Sequence, residues 1–170
     1  INIYQFSELS DEAKENAIKR LYDINVDSDW WDNTYEDAAQ INLKIKGFDI
    51  DRGSYVNAEF IESANNTAEL IIMNHGESCE TYKTAKSFLQ DYNELVAKYS
   101  DGVKTDRVTE DNEYDFDNEA DDLENDFLQS ISEDYRIILS NEYDYLTSEK
   151  SIIETIEANE YDFTEYGQLK

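Results

Sequence analysis

The chain has 170 residues, enough for a domain with a real core, and its 39% apolar and 13% aromatic content separates it from disordered acidic tails. Asp and Glu number 41 against 14 Lys and Arg, a formal net of −27. That excess argues against direct binding to nucleic acid or to an anionic membrane, both of which are held by Lys and Arg. Cys79 is the single cysteine, which rules out an intramolecular disulfide and fits a reducing compartment. No apolar run approaches the roughly 20 residues of a membrane span, no signal peptide is read at the start, and the expected compartment is the cytoplasm.

A short strand is predicted over Asn2 to Phe6, followed by a helix capped by Ser10 with Asp11 and Glu12 in its first turn. Its stripe is Ala13, Ala17, Ile18 and Leu21, running to about Asp23. A second helix is predicted from Asp29 to Gln40, with Trp30 and Trp31 as anchors rather than as a binding platform. The period then shortens. Leu43, Ile45, Phe48 and Ile50 nearly alternate, Arg52-Gly53-Ser54 turns, and Tyr55, Val56, Ala58, Phe60 and Ile61 read as a second strand. Glu69 to Met73 reads as a third strand after a turn at Asn65-Asn66, which implies an antiparallel meander covered by helices on one face.

A long helix follows from Glu80 to Tyr99, with Tyr82, Ala85, Phe88, Leu89, Tyr92, Leu95 and Val96 on one side. Residues 100 to 114 read as a polar connection. Beyond it Phe116, Ala120, Leu123, Phe127, Ile131, Tyr135 and Ile138 recur at intervals of three or four, with a break expected near Ser130, Ser132 and Glu133-Asp134. Ser148 or Ser151 is placed to cap a short helix through Ile152, Ile153 and Ile156, and Tyr161-Asp162-Phe163 to return as an edge strand. The predicted fold is therefore α+β: a three- to four-stranded antiparallel sheet packed by helices, with a core domain over 1–100 and an acidic, mainly helical region over 101–170.

The charge is uneven. Residues 1–100 hold 19 acidic and 9 basic side chains, net −10, and residues 101–170 hold 22 and 5, net −17. Glu110, Asp111, Glu113, Asp115, Asp117, Glu119, Asp121, Asp122, Glu124 and Asp126 fall within 17 residues that contain no base. With Phe116 at the origin of a helical wheel, Leu123 and Phe127 lie within about 20° of it. Asp117, Asp121 and Glu124 then line one flank, and Glu119, Asp122 and Asp126 the other. Six carboxylates over ten residues give about one charge per 2.5 Å at a rise of roughly 1.5 Å per residue, against about one per 1.7 Å of duplex DNA. Like charges at i,i+4 cost the helix roughly 0.2–0.5 kcal/mol each. The face reads either as a solvated acidic surface or as the contact surface for a basic partner, with these ten residues as its candidate binding set; metal binding is the third reading.

No motif carries catalysis. Counted from Asp49, a calcium loop would need Gly at its sixth position and Glu at its twelfth, where Ser54 and Phe60 stand. His75 and Cys79 are too few for a zinc site without borrowed carboxylates, and the acidic field disfavours a Cys79 thiolate. There is no phosphate-cradling glycine loop. No enzyme activity, metal or cofactor is expected.

The stretches Tyr4-Gln5-Phe6-Ser7-Glu8-Leu9-Ser10-Asp11-Glu12-Ala13-Lys14, Asp29-Trp30-Trp31, Gly47-Phe48-Asp49-Ile50-Asp51-Arg52-Gly53, His75-Gly76 and Ala158-Asn159-Glu160-Tyr161-Asp162-Phe163-Thr164-Glu165 resemble a family of small acidic proteins encoded by bacteriophages and prophages, some with antitoxin-like labels. No functional residues carry over from that family. The resemblance implies a phage context, in which acidic proteins block host defence enzymes by occupying basic nucleic-acid grooves. The expectation is a DNA mimic that inhibits a CRISPR effector, a restriction enzyme or a related nuclease in the host cytoplasm. The alternatives are an antitoxin-like module that neutralises a basic toxin, and an acidic metal-binding protein.

Overall fold

The computed structural model describes residues 2–100 and 113–170. In chain order the elements are β1 (Tyr4–Gln5), a 3-10 turn (Phe6–Glu8), α1 (Asp11–Arg20), α2 (Asp32–Gln40), β2 (Leu43–Asp49), β3 (Tyr55–Phe60), α3 (Ala64–Asn74), α4 (Glu80–Tyr99), α5 (Glu113–Leu146), α6 (Glu149–Ala158) and β4 (Asp162–Phe163). The class is α+β, as the alternation of helical and strand periods implies. Two compact units form, one from residues 1–32 with 139–170 and the other from 33–138. This division differs from the 1–100 and 101–170 expectation, because α5 contributes residues to both units.

In the first unit, Ser10 caps α1 by accepting from the Ala13 amide at 3.3 Å, and Ser148 caps α6 by accepting from Ser151 at 3.3 Å. Apolar faces of both helices join Phe6, Leu9 and Phe163 in one cluster around Ala13, Ala17, Ile152 and Ile156. β1 pairs antiparallel with β4, in the register Tyr4 to Phe163 and Gln5 to Asp162. Asn25, after α1, donates to the Leu146 carbonyl at 2.9 Å and accepts from Thr155 at 2.7 Å. Trp30 and Trp31 precede α2 rather than opening it, and they meet edge to face at 5.7 Å, with Trp30 also 5.6 Å from the Tyr143 ring. The C-terminal turn is fixed by Gly167, whose φ is +75° and whose missing Cβ would lie 2.1 Å from the Ala13 carbonyl oxygen.

In the second unit, β2 and β3 form an antiparallel hairpin with a bulge between Ile45 and Gly47. Leu43, Ile45 and Ala58 turn inward against Ala38, Ile41, Ala64, Ala68, Ile71, Ala85, Phe88, Phe127, Ile131 and Tyr135. The predicted sheet of three to four strands is absent among the described residues; two separate two-stranded sheets stand instead. The third predicted strand, Glu69 to Met73, belongs to α3. Ser63 accepts from the Asn66 amide at 3.1 Å, so Asn65-Asn66 lies in a capped first helical turn. Ala64, Ala68 and Ile71 then recur at i, i+4 and i+7, a helical face that a short apolar run conceals.

α5 is continuous through Ser130, Ser132 and Glu133-Asp134, where a break was predicted. Phe127, Ile131, Tyr135 and Leu139 are buried, and Leu139 takes the place assigned to Ile138, which is exposed. The 3.6-residue period drifts against a strict three-four spacing, so the stripe moves one residue on. No helix among the described residues is long and apolar enough to cross a membrane.

The Gly167 contact yields a direct test. Gly167→Ala combines an unfavourable φ with a backbone clash and is expected to destabilise the first unit by about 3 kcal/mol. Thermal unfolding of the full chain checks it; an unchanged midpoint would show that the turn does not sit against α1.

Candidate functional site: an acidic groove between two helices

α4 buries Thr81, Ala85, Phe88 and Leu95, and α5 lies against it through aromatic rings. Phe88 and Phe127 stack nearly parallel at 4.5 Å, and Phe127 stacks in turn on Phe60 at 5.5 Å. Nearer the start of α5, Phe116 meets Tyr92 at 6.2 Å and Tyr99 at 5.9 Å, both edge to face. These contacts fix the rotation of α5, and so decide which carboxylates point at α4.

A groove opens along this seam. One stretch, of about 490 Å³, is lined by Asp91, Glu94, Leu95 and Lys98 from α4 and by Glu119, Asp122, Leu123 and Asp126 from α5. A second, of about 380 Å³, shares Asp91, Leu123 and Asp126 and continues past Phe88 and Phe127 to Lys83, Thr84, Ser87 and Ser130. The groove therefore has an apolar floor and a rim of five carboxylates: Asp91, Glu94, Glu119, Asp122 and Asp126. Glu119 to Asp126 spans on the order of 10 Å of helix. Glu119 is paired with Lys98, so four unpaired charges remain over that length, about one per 2.5 Å against roughly 1.7 Å for duplex DNA.

The two lysines at the groove are engaged. Lys98 donates to both oxygens of Glu119, at 2.7 and 2.8 Å, and Lys83 donates to Glu80 at 2.6 Å. Tyr99 also donates to Glu119, at 2.5 Å. The Lys98 hydrogen bond first, and that of Tyr99 second, hold the Glu119 carboxyl below its ordinary range. Deeper along α5, Thr84 donates to Asp134 at 2.7 Å, yet burial outweighs that bond and raises the Asp134 carboxyl.

The ten carboxylates singled out from sequence separate into groups. Glu110 and Asp111 lie outside the described residues. Glu113 and Asp115 are exposed in the first turn of α5, where the helix dipole favours them. Glu119, Asp122 and Asp126 line the groove. Asp117, Asp121 and Glu124 do not line it; Asp117 and Asp121 are exposed, while Glu124 is half-buried. Burial, and secondly the Asp121 charge, raise the Glu124 carboxyl. Sequence reasoning missed Asp91 and Glu94. Their signal was available: they stand three apart and share one side of Leu95, on a helix read for its apolar side alone.

A second polar cluster lies in the same unit. The buried Tyr135 hydroxyl donates to Asp37 Oδ2 at 2.6 Å, and burial first, then this bond, push its phenol well above the ordinary value. Asp37 Oδ1 stands 3.8 Å from His75 Nε2, and His75 Nδ1 is 2.7 Å from the Thr81 hydroxyl. The sequence Asp37, His75, Thr81 has the order of an acid, a base and a hydroxyl, but Thr81 is only 4% exposed, so its hydroxyl meets no solvent-borne substrate. The cluster bonds the Tyr135 and Thr81 hydroxyls at the edge of the core, while the buried His75 Nε2 has no hydrogen-bond partner among the described residues. Cys79 is exposed at the start of α4, and the partners of His75 are Thr81 and Asp37. Asp49 accepts from the Asp51 amide at 2.7 Å, a local turn in place of a calcium loop. Among the described residues, no group of three or more His, Cys, Asp or Glu is gathered to hold a metal ion.

Comparison with known proteins returns no match: no protein-family model, no curated sequence and no solved structure is similar to the chain.

The raised Glu124 carboxyl sets a pH dependence. The native state binds this proton more readily than the unfolded chain does, so the contribution is present at low pH and is lost as pH rises through the folded carboxyl's range. Glu124→Gln is expected to raise the unfolding midpoint at neutral pH, with the gain vanishing near about pH 3, where both states are protonated. A pH series of thermal melts checks the sign; a lower midpoint at neutral pH would contradict it.

Proposed function

We propose that the chain is a phage-encoded acidic DNA mimic that occupies the basic nucleic-acid-binding groove of a host defence protein, such as a CRISPR effector, a restriction enzyme or a related nuclease. The observation that carries this reading is the α4–α5 groove, whose rim holds Asp91, Glu94, Asp122 and Asp126 together with the Lys98-bound Glu119 beside an apolar floor. Its two lysines already face carboxylates of the same chain. The unpaired charge is therefore available to Lys and Arg of a partner, whose own groove is built for a polyanion. The resemblance to acidic phage proteins supports the setting, and the host cytoplasm is where such a partner works.

Like charges gathered on two packed helices work against folding, since each repels its neighbours. A complementary basic surface relieves that repulsion on binding. Of the apolar floor, Leu95 and Phe127 are buried and Leu123 is half-buried, so the groove offers a partner chiefly its carboxylate rim.

The test separates the groove from the far flank of α5. The partner is captured from host lysate on the immobilised chain and released with duplex DNA. Replacing Asp91, Glu94, Glu119, Asp122 and Asp126 by Asn or Gln is expected to weaken retention at least about tenfold, since each desolvated charge pair contributes of order 1 kcal/mol or more. Replacing Asp117 and Asp121 is expected to leave it within about twofold. Equal losses from both sets, or no competition by DNA, would refute the groove as the mimic surface.

A further inference from the structure

We propose that two copies of this chain pair through β3, joining their hairpins into a four-stranded antiparallel sheet about a twofold axis at Ala58. This inference is independent of the acidic groove and uses a different face.

β3 is paired on one edge alone among the described residues: β2 occupies that edge and no strand lies on the other. The Ile61 amide donates to the Asn42 carbonyl at 2.8 Å, so Ile61 directs its backbone toward β2. Backbone direction alternates along an antiparallel strand, so Val56, Ala58 and Phe60 direct their N–H and C=O groups to the open edge. An open edge of this kind is a template for another strand. Sequence devices that block such pairing are missing from β3, which has no Pro and no Lys, and its one charge, Glu59, is tied to Lys46 at 2.9 Å and Lys44 at 3.6 Å.

Charge selects a second copy as the occupant. A chain of net −27 repels its twin almost everywhere, yet residues 43–60 carry Lys44, Lys46 and Arg52 against Asp49, Asp51 and Glu59, three of each sign and a net of zero. Beside the edge, α5 presents Leu128, Gln129 and Ser132, with Glu133 as the single ionic group, and Arg136 bonds that carboxylate at 2.6 and 2.7 Å. The balanced charge of this hairpin lets two such chains approach here with less repulsion than their net charge imposes elsewhere.

The register follows from the backbone. Groups that point outward must face groups that point outward, which allows registers two residues apart; the one centred on Ala58, with Val56 across from Phe60, engages all three outward residues of β3. The same register sets Tyr55 opposite Ile61. These two residues, 52% and 55% exposed, bracket β3 as solvent-facing apolar side chains, and an aromatic across from a β-branched residue is a favourable cross-strand pair. An isologous contact of this kind closes after two copies and does not propagate.

Sedimentation of the full chain over a concentration series, at low and high salt, tests the proposal. The expected result is a mass of two chains, with the dimer strengthened by added salt because screening removes the repulsion between the two acidic bodies. Tyr55→Glu with Ile61→Glu, both at exposed positions, is expected to weaken dimerisation at least tenfold while leaving circular dichroism unchanged. Val56→Pro removes an outward amide without touching the β2 ladder and is expected to do the same. A monomer at every concentration and salt, or a dimer untouched by the Glu double variant, would overturn the proposal.

Discussion

The stack of Phe60, Phe127 and Phe88 is the contact on which the rest of the second unit depends. Phe127 lies between a strand and a helix, at 5.5 Å from one ring and 4.5 Å from the other, so α5 is registered against β3 and α4 at once. An aromatic side chain buried between two rings commits a large apolar area to this contact. Once Phe127 is placed, helical geometry places the rest: Leu123 one turn back on the groove floor, and Glu119, Asp122 and Asp126 on the rim facing α4. The charge pattern of the surface is thus a consequence of core packing.

That dependence resolves an apparent conflict. Six carboxylates within ten residues of one helix repel one another, and isolated α5 would be a poor helix over that stretch. The apolar keel of Phe116, Leu123 and Phe127 supplies the opposing term, together with the bonds that Lys98 and Tyr99 make to Glu119. Burial of two or three large side chains, at roughly 1.5–3 kcal/mol each, exceeds several i,i+4 repulsions of roughly 0.2–0.5 kcal/mol. Acidity can therefore accumulate on α5 without unfolding it.

Much of this was legible in the amino-acid pattern. The helical period of Phe116 to Tyr135, the extent of α4 and the caps at Ser10 and Ser148 follow from local spacing, and local spacing is what a sequence states directly. The errors arose where a longer-range choice decided. Glu69 to Met73 suits a strand or a buried helix equally, and the Ser63 cap tipped it to α3. Tyr4 and Phe163 are readable as strand residues, but their pairing with each other is a tertiary fact. The groove was half legible. The α5 wheel separated Glu119, Asp122 and Asp126 from Asp117, Asp121 and Glu124, yet only packing shows which flank faces α4 and that Asp91 and Glu94 complete the rim.

The central claim is that groove carboxylates do the work of phosphates, and the ionic-strength dependence of partner binding measures this most directly. Each ion pair formed in the groove adds to the slope of log affinity against log salt. The account predicts a steep fall for the native chain, at least about tenfold between 50 and 200 mM salt, and a clearly shallower slope when Asp91, Glu94, Glu119, Asp122 and Asp126 are neutralised. A slope that is flat in the native chain, or unchanged by those five substitutions, would contradict it.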